Sequence, residues 1–352
     1  MMGQFAPRKK QLTTDPEKIL NELNTKINDN EILDEIKDNF DFSSEKLFLE
    51  SFKDNYLSNS EESTLFKDTV FEKGIESLSP QQIYTIAPET IVLKFGRPSL
   101  LIQNGDIERP ESKVWKNRLD TNIGNILNSI PSVGRIELIG HSTYDWVGTG
   151  WLYEDTGLLI TNRHVAELFI REKNGQLRFK QNLEGKTIKS YIDFKEEYKV
   201  DEDVTFKIKD IVYMASEDVP DVAILEVKTT NEDDLALPFG LSISTNHSNL
   251  DSLVFTIGYP AKDSRIKDSS LMEKIFKNVY DVKRFAPGKL TDNSNYEYEY
   301  HHDCSTLGGN SGSPLIDLES GEVVGLHFAG TYRKYNWAVQ NNHLNNLLNS
   351  LT

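Results

Sequence analysis

The sequence predicts an α+β protein in which an N-terminal helical domain precedes an all-β domain. Two observations carry this prediction. Apolar residues recur at helical spacing over the first 85 residues, whereas short apolar runs with a period of two dominate from Gly134 onward. Glycine, asparagine and aspartate separate these runs, which is typical of a β-barrel or a β-sandwich. We therefore divide the chain into residues 1–85, a connecting segment 86–133 and residues 134–352.

Residues 1–85 contain four or five short predicted helices. Asp15-Pro16 combines a capping residue with a first-turn proline, and later helices are predicted to begin near Ser43, Ser60 and Ser79. The apolar positions of the first predicted helix recur at helical spacing: Ile19, Leu20, Leu23 and Ile27. Acidic residues occupy the predicted solvent faces and no catalytic pattern is present, so we interpret residues 1–85 as a docking or regulatory domain for a possible protein partner.

The connecting segment is predicted to form two short strands and one helix. The strands cover residues 89–94 and 99–102, and the turn Gly96-Arg97-Pro98 separates them. An amphipathic helix follows from Ser112 to Asn128 and ends before Pro131, and we expect it to pack on the outside of the β domain.

The strands of the β domain are predicted from period-two patterns and apolar runs. They cover residues 135–139, 149–153, 157–161, 206–213, 222–227, 252–257, 296–301 and 323–328. A short helix is predicted at the C-terminus, over residues 342–346.

The composition excludes several classes of function. Lys and Arg total 39 and Asp and Glu total 55, which gives a net charge of −16. Nucleic acids and anionic membranes require basic surfaces, so neither is expected as a partner. The single cysteine, Cys304, rules out an internal disulfide framework and favours a reducing compartment. No secretory signal and no apolar run of about 20 residues is seen, so we expect a cytoplasmic protein.

Three short motifs carry residues for nucleophilic catalysis. Gly309-Asn310-Ser311-Gly312-Ser313-Pro314 is a tight turn that would present a serine. A serine hydroxyl needs an adjacent base, and His164 follows an apolar run upstream. Asp221 begins a further apolar run and would hold the imidazole, although Asp218 lies only three residues earlier. The order His, Asp, Ser distinguishes this pattern from those of subtilisin and the α/β-hydrolases.

These motifs resemble those of trypsin-like serine proteases, and most closely those of bacterial glutamyl endopeptidases. The matching segments are Gly148–Leu152, Thr161–His164, Asp221–Leu225 and Ser305–Pro314, within a region that extends from about Gly134 to Leu351. The resemblance implies a double-barrel fold and a serine endopeptidase that acts on protein or peptide substrates without a cofactor. It also implies that His164, Asp221 and Ser311 are catalytic, and that Gly309 and Ser311 supply backbone N–H groups to an oxyanion hole.

The resemblance extends to substrate recognition. Asn310 replaces the aspartate of the digestive enzymes, so an ion pair with a newly cut N-terminal amine is not expected. Thr306 and His327 match the residues with which glutamyl endopeptidases bind a substrate carboxylate. Ser305 is small and uncharged where trypsin has an aspartate, so cleavage after lysine or arginine is not expected. A pocket for small or apolar side chains, with a neutral His327, is the alternative.

Two further alternatives accompany these interpretations. The chain could be an interaction module that keeps the protease fold with an idle triad. His301-His302-Asp303-Cys304 has the residue types of a metal site, but adjacent strand residues point to opposite faces. We therefore predict no metal.

Overall fold

The computed structural model describes residues 15–57, 87, 91–262, 276–292, 298–331 and 335–351. The chain divides into two compact units, Met1–Gly96 and Arg97–Thr352. Most of the segment predicted as a connection therefore belongs to the second unit.

The described part of the first unit begins with three α-helices: α1 (Pro16–Ile27), α2 (Asn30–Asn39) and α3 (Glu45–Leu57). Asp15 caps α1 as predicted, because its side chain accepts a hydrogen bond from the Glu17 N–H. Asp29 caps α2 in the same way and accepts from the Ile32 N–H. The helices predicted to begin near Ser60 and Ser79 lie outside the described residues.

The strand predicted over residues 89–94 is wrong in its described part, because Val92–Gly96 forms a short π-helix. Residues 89 and 90 lie outside the described residues. Phe95 packs against Phe40 with ring centroids 5.8 Å apart. Gly96 approaches Ile27 so closely that a Cβ there would lie 3.0 Å from the isoleucine side chain. The preference of an apolar run for a strand depends on its neighbours, and here the neighbours are helices.

The second unit begins with a hairpin and two helices. β1 (Leu100–Gln103) and β2 (Asp106–Ile107) are joined by Asn104-Gly105, where both residues have positive φ. The single helix predicted from Ser112 to Asn128 is interrupted at Asn122, giving α4 (Lys113–Thr121) and α5 (Ile123–Ser129). The Asn122 N–H bonds to Leu119 O, three residues back, so the first helix ends there.

Six antiparallel strands close the first barrel, in the order β10-β5-β4-β3-β8-β9. Their bounds are β3 (Val133–Ile139), β4 (Trp146–Tyr153), β5 (Leu158–Thr161), β8 (Lys189–Asp193), β9 (Thr205–Met214) and β10 (Ala223–Val227). A short helix, α6 (Arg163–Ala166), follows β5, and β6 (Ile170–Lys173) pairs with β7 (Gln176–Phe179) as a separate hairpin. The barrel encloses an apolar core that includes Phe169, Ile192, Phe206 and Leu225.

Six further strands form the second barrel, in the order β11-β14-β15-β16-β13-β12, and pairing of β11 with β12 closes it. Their bounds are β11 (Leu253–Gly258), β12 (Arg284–Asp292), β13 (Glu299–His302), β14 (Pro314–Asp317), β15 (Val323–Thr331) and β16 (Tyr335–Gln340). β1 pairs with β12 and so joins the N-terminal hairpin to this barrel. The C-terminal helix, α7, covers Asn341–Leu351 and is longer than predicted.

The predicted fold class, helices followed by a double β-barrel, is confirmed. Seven described strands were not predicted from the sequence, namely β2, β6, β7, β8, β12, β14 and β16. β12 shows why, since it contains Pro287 and Gly288 and begins with a buried Arg284, so it lacks the expected alternation. Asn125 on α5 donates to the carbonyls of Leu318 and Glu319, which holds this helix against the outside of the second barrel.

Candidate active site

The structure brings His164 and Asp221 into direct contact. His164 lies on α6, immediately after β5, and Asp221 lies just before β10, which pairs with β5. His164 Nδ1 is 2.5 Å from Asp221 Oδ2, and the His164 backbone N–H donates to Asp221 Oδ1 at 3.0 Å. Asn162 Nδ2 donates to the Asp221 carbonyl at 2.9 Å. The carboxylate therefore holds both the ring and the backbone of the histidine, and Asp221 rather than Asp218 makes these contacts.

Ser311 lies on a turn that requires glycine on each side. Gly309 and Gly312 have φ values of +90° and +88°, in the left-handed region that favours glycine. A Cβ on Gly309 would lie 2.3 Å from the Tyr259 carbonyl, and one on Gly312 would lie 2.0 Å from the Thr149 carbonyl. The turn thus combines an unusual backbone conformation with close packing.

The turn that carries Ser311 is held between the two barrels. The Ser311 carbonyl accepts from the Thr149 N–H of the first barrel at 2.9 Å. The Gly312 N–H donates to the His327 carbonyl of the second barrel, also at 2.9 Å. A Cβ on Gly148 would touch both the Val165 side chain and the Ser311 carbonyl, so Ser311 and the segment after His164 meet at this glycine.

In the described structure, two backbone donors near Ser311 lack a protein acceptor, and the side-chain hydrogen bond expected between Ser311 and His164 is not formed. Among the described residues, neither the Gly309 N–H nor the Ser311 N–H has a protein acceptor. Within the same part of the chain, Ser311 Oγ makes no hydrogen bond to His164. Contacts between a catalytic serine and its base are often long without substrate and tighten in the complex. The His164 side chain is 41% exposed, so a substrate can reach it.

Asn310 is 4% exposed and is bound within its own turn. Its Nδ2 donates to the Leu307 carbonyl at 3.2 Å. A Cβ on Gly258 would lie 2.5 Å from Asn310 Oδ1, so the amide packs directly against β11. Asn310 therefore occupies this buried position with a neutral amide.

Thr306 and His327 lie on neighbouring parts of the second barrel. Thr306 Oγ1 donates to Asn336 Oδ1 at 2.9 Å, and a Cβ on Gly330 of β15 would approach both side chains. His327 is 3% exposed, and its Nδ1 lies 3.1 Å from His302 Nε2. Burial, and to a smaller extent the nearby His164, lowers the pKa of His327 to about 3. His327 is therefore neutral at physiological pH, and any binding of a substrate carboxylate by this ring would use a neutral N–H.

Comparisons with known proteins agree with this geometry. Residues 148–326 match the trypsin-like peptidase domain, which is slightly more than half of the chain. The chain belongs to the trypsin-like peptidase family. The chain is also 28% identical over 284 residues to a probable serine protease of Lysobacter enzymogenes, a stretch that covers 72% of each protein. This trypsin-like peptidase is thus a serine endopeptidase.

A solved structure shows a weaker likeness. The serine endoprotease of Yersinia pestis aligns with a TM-score of 0.43 at 16% identity, over 65% of this chain and 66% of that one. Among the described residues, no helix is both long and apolar enough to cross a membrane.

His302 lies beside His327 in the second barrel, and no role was predicted for it from the sequence. It is fully buried, and burial lowers its pKa well below the ordinary value. His301 points the other way and stacks on Tyr335, as the alternation of a strand requires. The signal in the sequence was the His301-His302 pair itself, but only the fold shows that His302 faces His327.

Among the described residues, two further features have the residue types for chemistry: Cys304 and a cluster of three carboxylates. Burial raises the pKa of the Cys304 thiol well above its ordinary value, which disfavours the nucleophilic thiolate. In the described structure, Glu137, Asp193 and Glu196 bring carboxylate oxygens within 4.8 Å of one another. Arg135 pairs with both Glu137 and Glu196, so its guanidinium already provides the counter-charge that a cation would supply.

Proposed function

We propose that this peptidase cleaves peptide bonds through an acyl-enzyme on Ser311. His164 takes the Ser311 proton as Oγ attacks the scissile carbonyl carbon, and then gives it to the departing amine. Asp221 orients the imidazole and stabilises its protonated form. Water activated by His164 then hydrolyses the ester and releases Ser311. The doubly anchored contact between His164 and Asp221 is the observation that supports this proposal.

The oxyanion hole belongs to the same proposal. The N–H groups of Gly309 and Ser311 would donate to the negative oxygen that forms in each step. Their lack of a protein acceptor in the described structure supports this role, because a hole must keep its donors free for the substrate.

An idle protease-fold interaction module is the second candidate. It is favoured by one observation, the missing hydrogen bond between the described side chains of Ser311 and His164. Labelling with a fluorophosphonate probe separates the two candidates, because the probe reacts only with an activated serine. We expect wild-type protein and the matched control Ser216→Ala to be labelled and to cleave peptides. Ser311→Ala and His164→Ala should do neither, while the melting temperature changes little. Equal turnover in Ser311→Ala would exclude the proposal.

For specificity, we propose cleavage after glutamate and, less efficiently, after aspartate. Since His327 is neutral, the carboxylate would be bound by hydrogen-bond donors rather than by a full charge. The Thr306 hydroxyl, which now donates to Asn336 Oδ1, could instead donate to the substrate carboxylate.

The tautomer of His327 supports this proposal. His302 Nδ1 is buried and has no hydrogen-bond partner in the described structure. If His302 carried its proton there, a buried N–H would be left unpaired, which proteins avoid more strictly than an unpaired acceptor. His302 therefore carries the proton on Nε2 and donates it to His327 Nδ1. His327 in turn carries its proton on Nε2, and among the described residues no group accepts it. A substrate carboxylate would accept this N–H.

A pocket for small or apolar side chains is the rival, and the neutral, inward-bonded His327 is the observation that favours it. Peptides that differ only in the residue before the scissile bond separate the two. Dominant cleavage after Ala or Phe, unchanged in His327→Ala, would reject the carboxylate pocket.

For the first unit, we propose a docking or regulatory role. Its described helices form a compact core of their own, and Lys37, Phe40, Phe42 and Ser51 are among the residues that line an open cleft. A protein partner bound there would regulate access of protein or peptide substrates. Cys304, as the chain's one cysteine, supports a reducing compartment such as the cytoplasm.

A further inference from the structure

Arg97 is the first residue of the second unit, and it is 3% exposed. Its guanidinium Nη2 donates to Asp303 Oδ2. A buried guanidinium needs such a partner, since an uncompensated buried charge is strongly destabilising. Asp303 is itself anchored, because its Oδ1 accepts from the Lys289 N–H of β12 at 2.7 Å.

The backbone of Arg97 makes a second contact with the same loop. Ser305 Oγ donates to the Arg97 carbonyl at 2.7 Å. The side chain and the carbonyl of one residue therefore hold Asp303 and Ser305, and Thr306 follows directly in the sequence.

The opposite side of this loop is held by Asn336. Its Nδ2 donates to the Cys304 carbonyl at 2.7 Å, and its Oδ1 accepts from Thr306 Oγ1 at 2.9 Å. A Cβ on Gly288 would lie 2.6 Å from Asp303 Oδ1 and 2.7 Å from the Cys304 nitrogen. The loop 303–306 thus lies tightly between β12, β16 and Arg97.

Arg97 in turn is held in place by the strand that follows it. Leu100 and Leu101 of β1 pair with Phe285 and Arg284 of β12. The Arg284 guanidinium also donates to the Ser99 carbonyl at 2.8 Å. This anchoring fixes the backbone within three residues of Arg97.

We propose that Arg97 is a positioning residue for the specificity pocket, and that it holds the wall formed by residues 303–306 from outside. This inference rests on the proposed placement of the pocket at Thr306 and His327, but not on which side chain the pocket accepts. Arg97 acts through Asp303 and Ser305 and does not itself contact the substrate.

The test uses full-length Arg97→Met and Arg97→Lys, with the exposed Arg171→Met as the matched control. Three quantities are measured: kcat and KM for peptides that differ at the residue before the scissile bond, the rate of Ser311 labelling by a small fluorophosphonate, and the rate at which Ellman's reagent modifies Cys304. Cys304 is suited to report on the wall because it is the chain's one cysteine, lies within the loop and is 1% exposed.

In Arg97→Met, we expect kcat/KM for the preferred peptide to fall about tenfold, mainly through KM. The ratio of kcat/KM between the preferred peptide and the other peptides should fall, and Ellman's reagent should modify Cys304 faster. Labelling of Ser311 should stay within about threefold of wild type, because the probe has no side chain for this pocket. Arg97→Lys should restore part of the discrimination, since it keeps the charge but loses the fork of donors. Arg171→Met should match wild type in every measurement.

Unchanged discrimination and unchanged Cys304 modification in Arg97→Met would overturn the inference. An equal loss of labelling and cleavage would overturn it as well, because it would show a general structural role. If Arg97→Met does not unfold cooperatively, Ser305→Ala takes its place, because it removes only the hydrogen bond to the Arg97 carbonyl. Reduced discrimination between peptides in Ser305→Ala would support the inference. Unchanged discrimination in this variant would overturn it. If the wild-type protein is not labelled by the probe and does not cleave peptides, the proposed function fails. The rate of Cys304 modification would still show whether Arg97 holds residues 303–306 in place.

Discussion

His302 Nε2 lies 3.1 Å from His327 Nδ1, inside the second barrel and away from solvent. Because Nδ1 of His327 faces His302, only its Nε2 could contact a substrate in the proposed pocket, and the proposed tautomer places the proton on that nitrogen. Under the proposed specificity, binding of a substrate carboxylate would therefore depend on neutral hydrogen-bond donors and on the tautomer of His327 rather than on charge.

The first prediction concerns specificity and pH. With a pKa of about 3, His327 does not titrate between pH 5.5 and 8.5, so the preference for glutamate over alanine peptides should be constant there. Matched Glu, Asp, Ala and Phe peptides measured across this range provide the check. His327→Ala should reduce the ratio of kcat/KM for Glu over Ala by about tenfold. A preference that weakens as pH rises through 6.5 would instead show that His327 becomes charged in the complex.

The second prediction concerns the oxyanion hole. Gly309→Ala should lower kcat by about 100-fold or more, because φ is +90° and a Cβ would lie 2.3 Å from the Tyr259 carbonyl. The N–H of residue 309 would then point away from the developing oxyanion. Gly175→Ala is the control, since Gly175 also has positive φ but no atom lies within 4 Å of its Cβ position. That control should lose stability slightly and keep full kcat. A Gly309→Ala variant with wild-type kcat would exclude this N–H from the hole.

The third prediction concerns stability in acid. His302 and His327 have folded-state pKa values below 6.5, so the unfolded chain binds protons that the folded chain does not. The stability that depends on their neutral forms is complete above pH 6.5 and is lost as pH falls below 6.5, for His327 down to about pH 3. At pH 5 the loss from His327 alone would be about 2 kcal/mol. Thermal unfolding at pH 7.5 and at pH 5 measures this loss of stability. The difference in stability between the two pH values should be smaller in His302→Gln than in the wild-type protein. An equal difference in the wild-type protein and in His302→Gln would show that His302 does not contribute to the loss of stability in acid.

The fourth prediction concerns the two units. Removal of residues 1–96 should leave a second unit that unfolds cooperatively, because this unit has two cores of its own and contains β1 and its partner β12. Circular dichroism against temperature is the measurement. A shorter deletion, of residues 1–85, would leave behind Val92–Gly96, which packs on the deleted helices, and should be less soluble. A chain from Arg97 onward that shows no cooperative transition would contradict the division at Gly96.

Features that depend on neighbours in the chain were visible in the sequence. The cap at Asp15, the periodicity of the helices and the turn around Ser311 each arise from a few consecutive residues, whose conformational preferences act locally. The motif order of His164, Asp221 and Ser311 also required no structure, because the spacing of motifs along a chain belongs to the sequence itself.

Only the tertiary structure decided the features that join distant residues. Val92–Gly96 became helical because Phe40 and Ile27 surround it, against the local preference of an apolar run. His327 became neutral because the barrel buries it beside His302. Arg97 and Asp303 are 206 positions apart, and nothing local indicates that they meet. Such contacts form when packing removes charges and rings from water, so their partners and protonation follow from the fold as a whole.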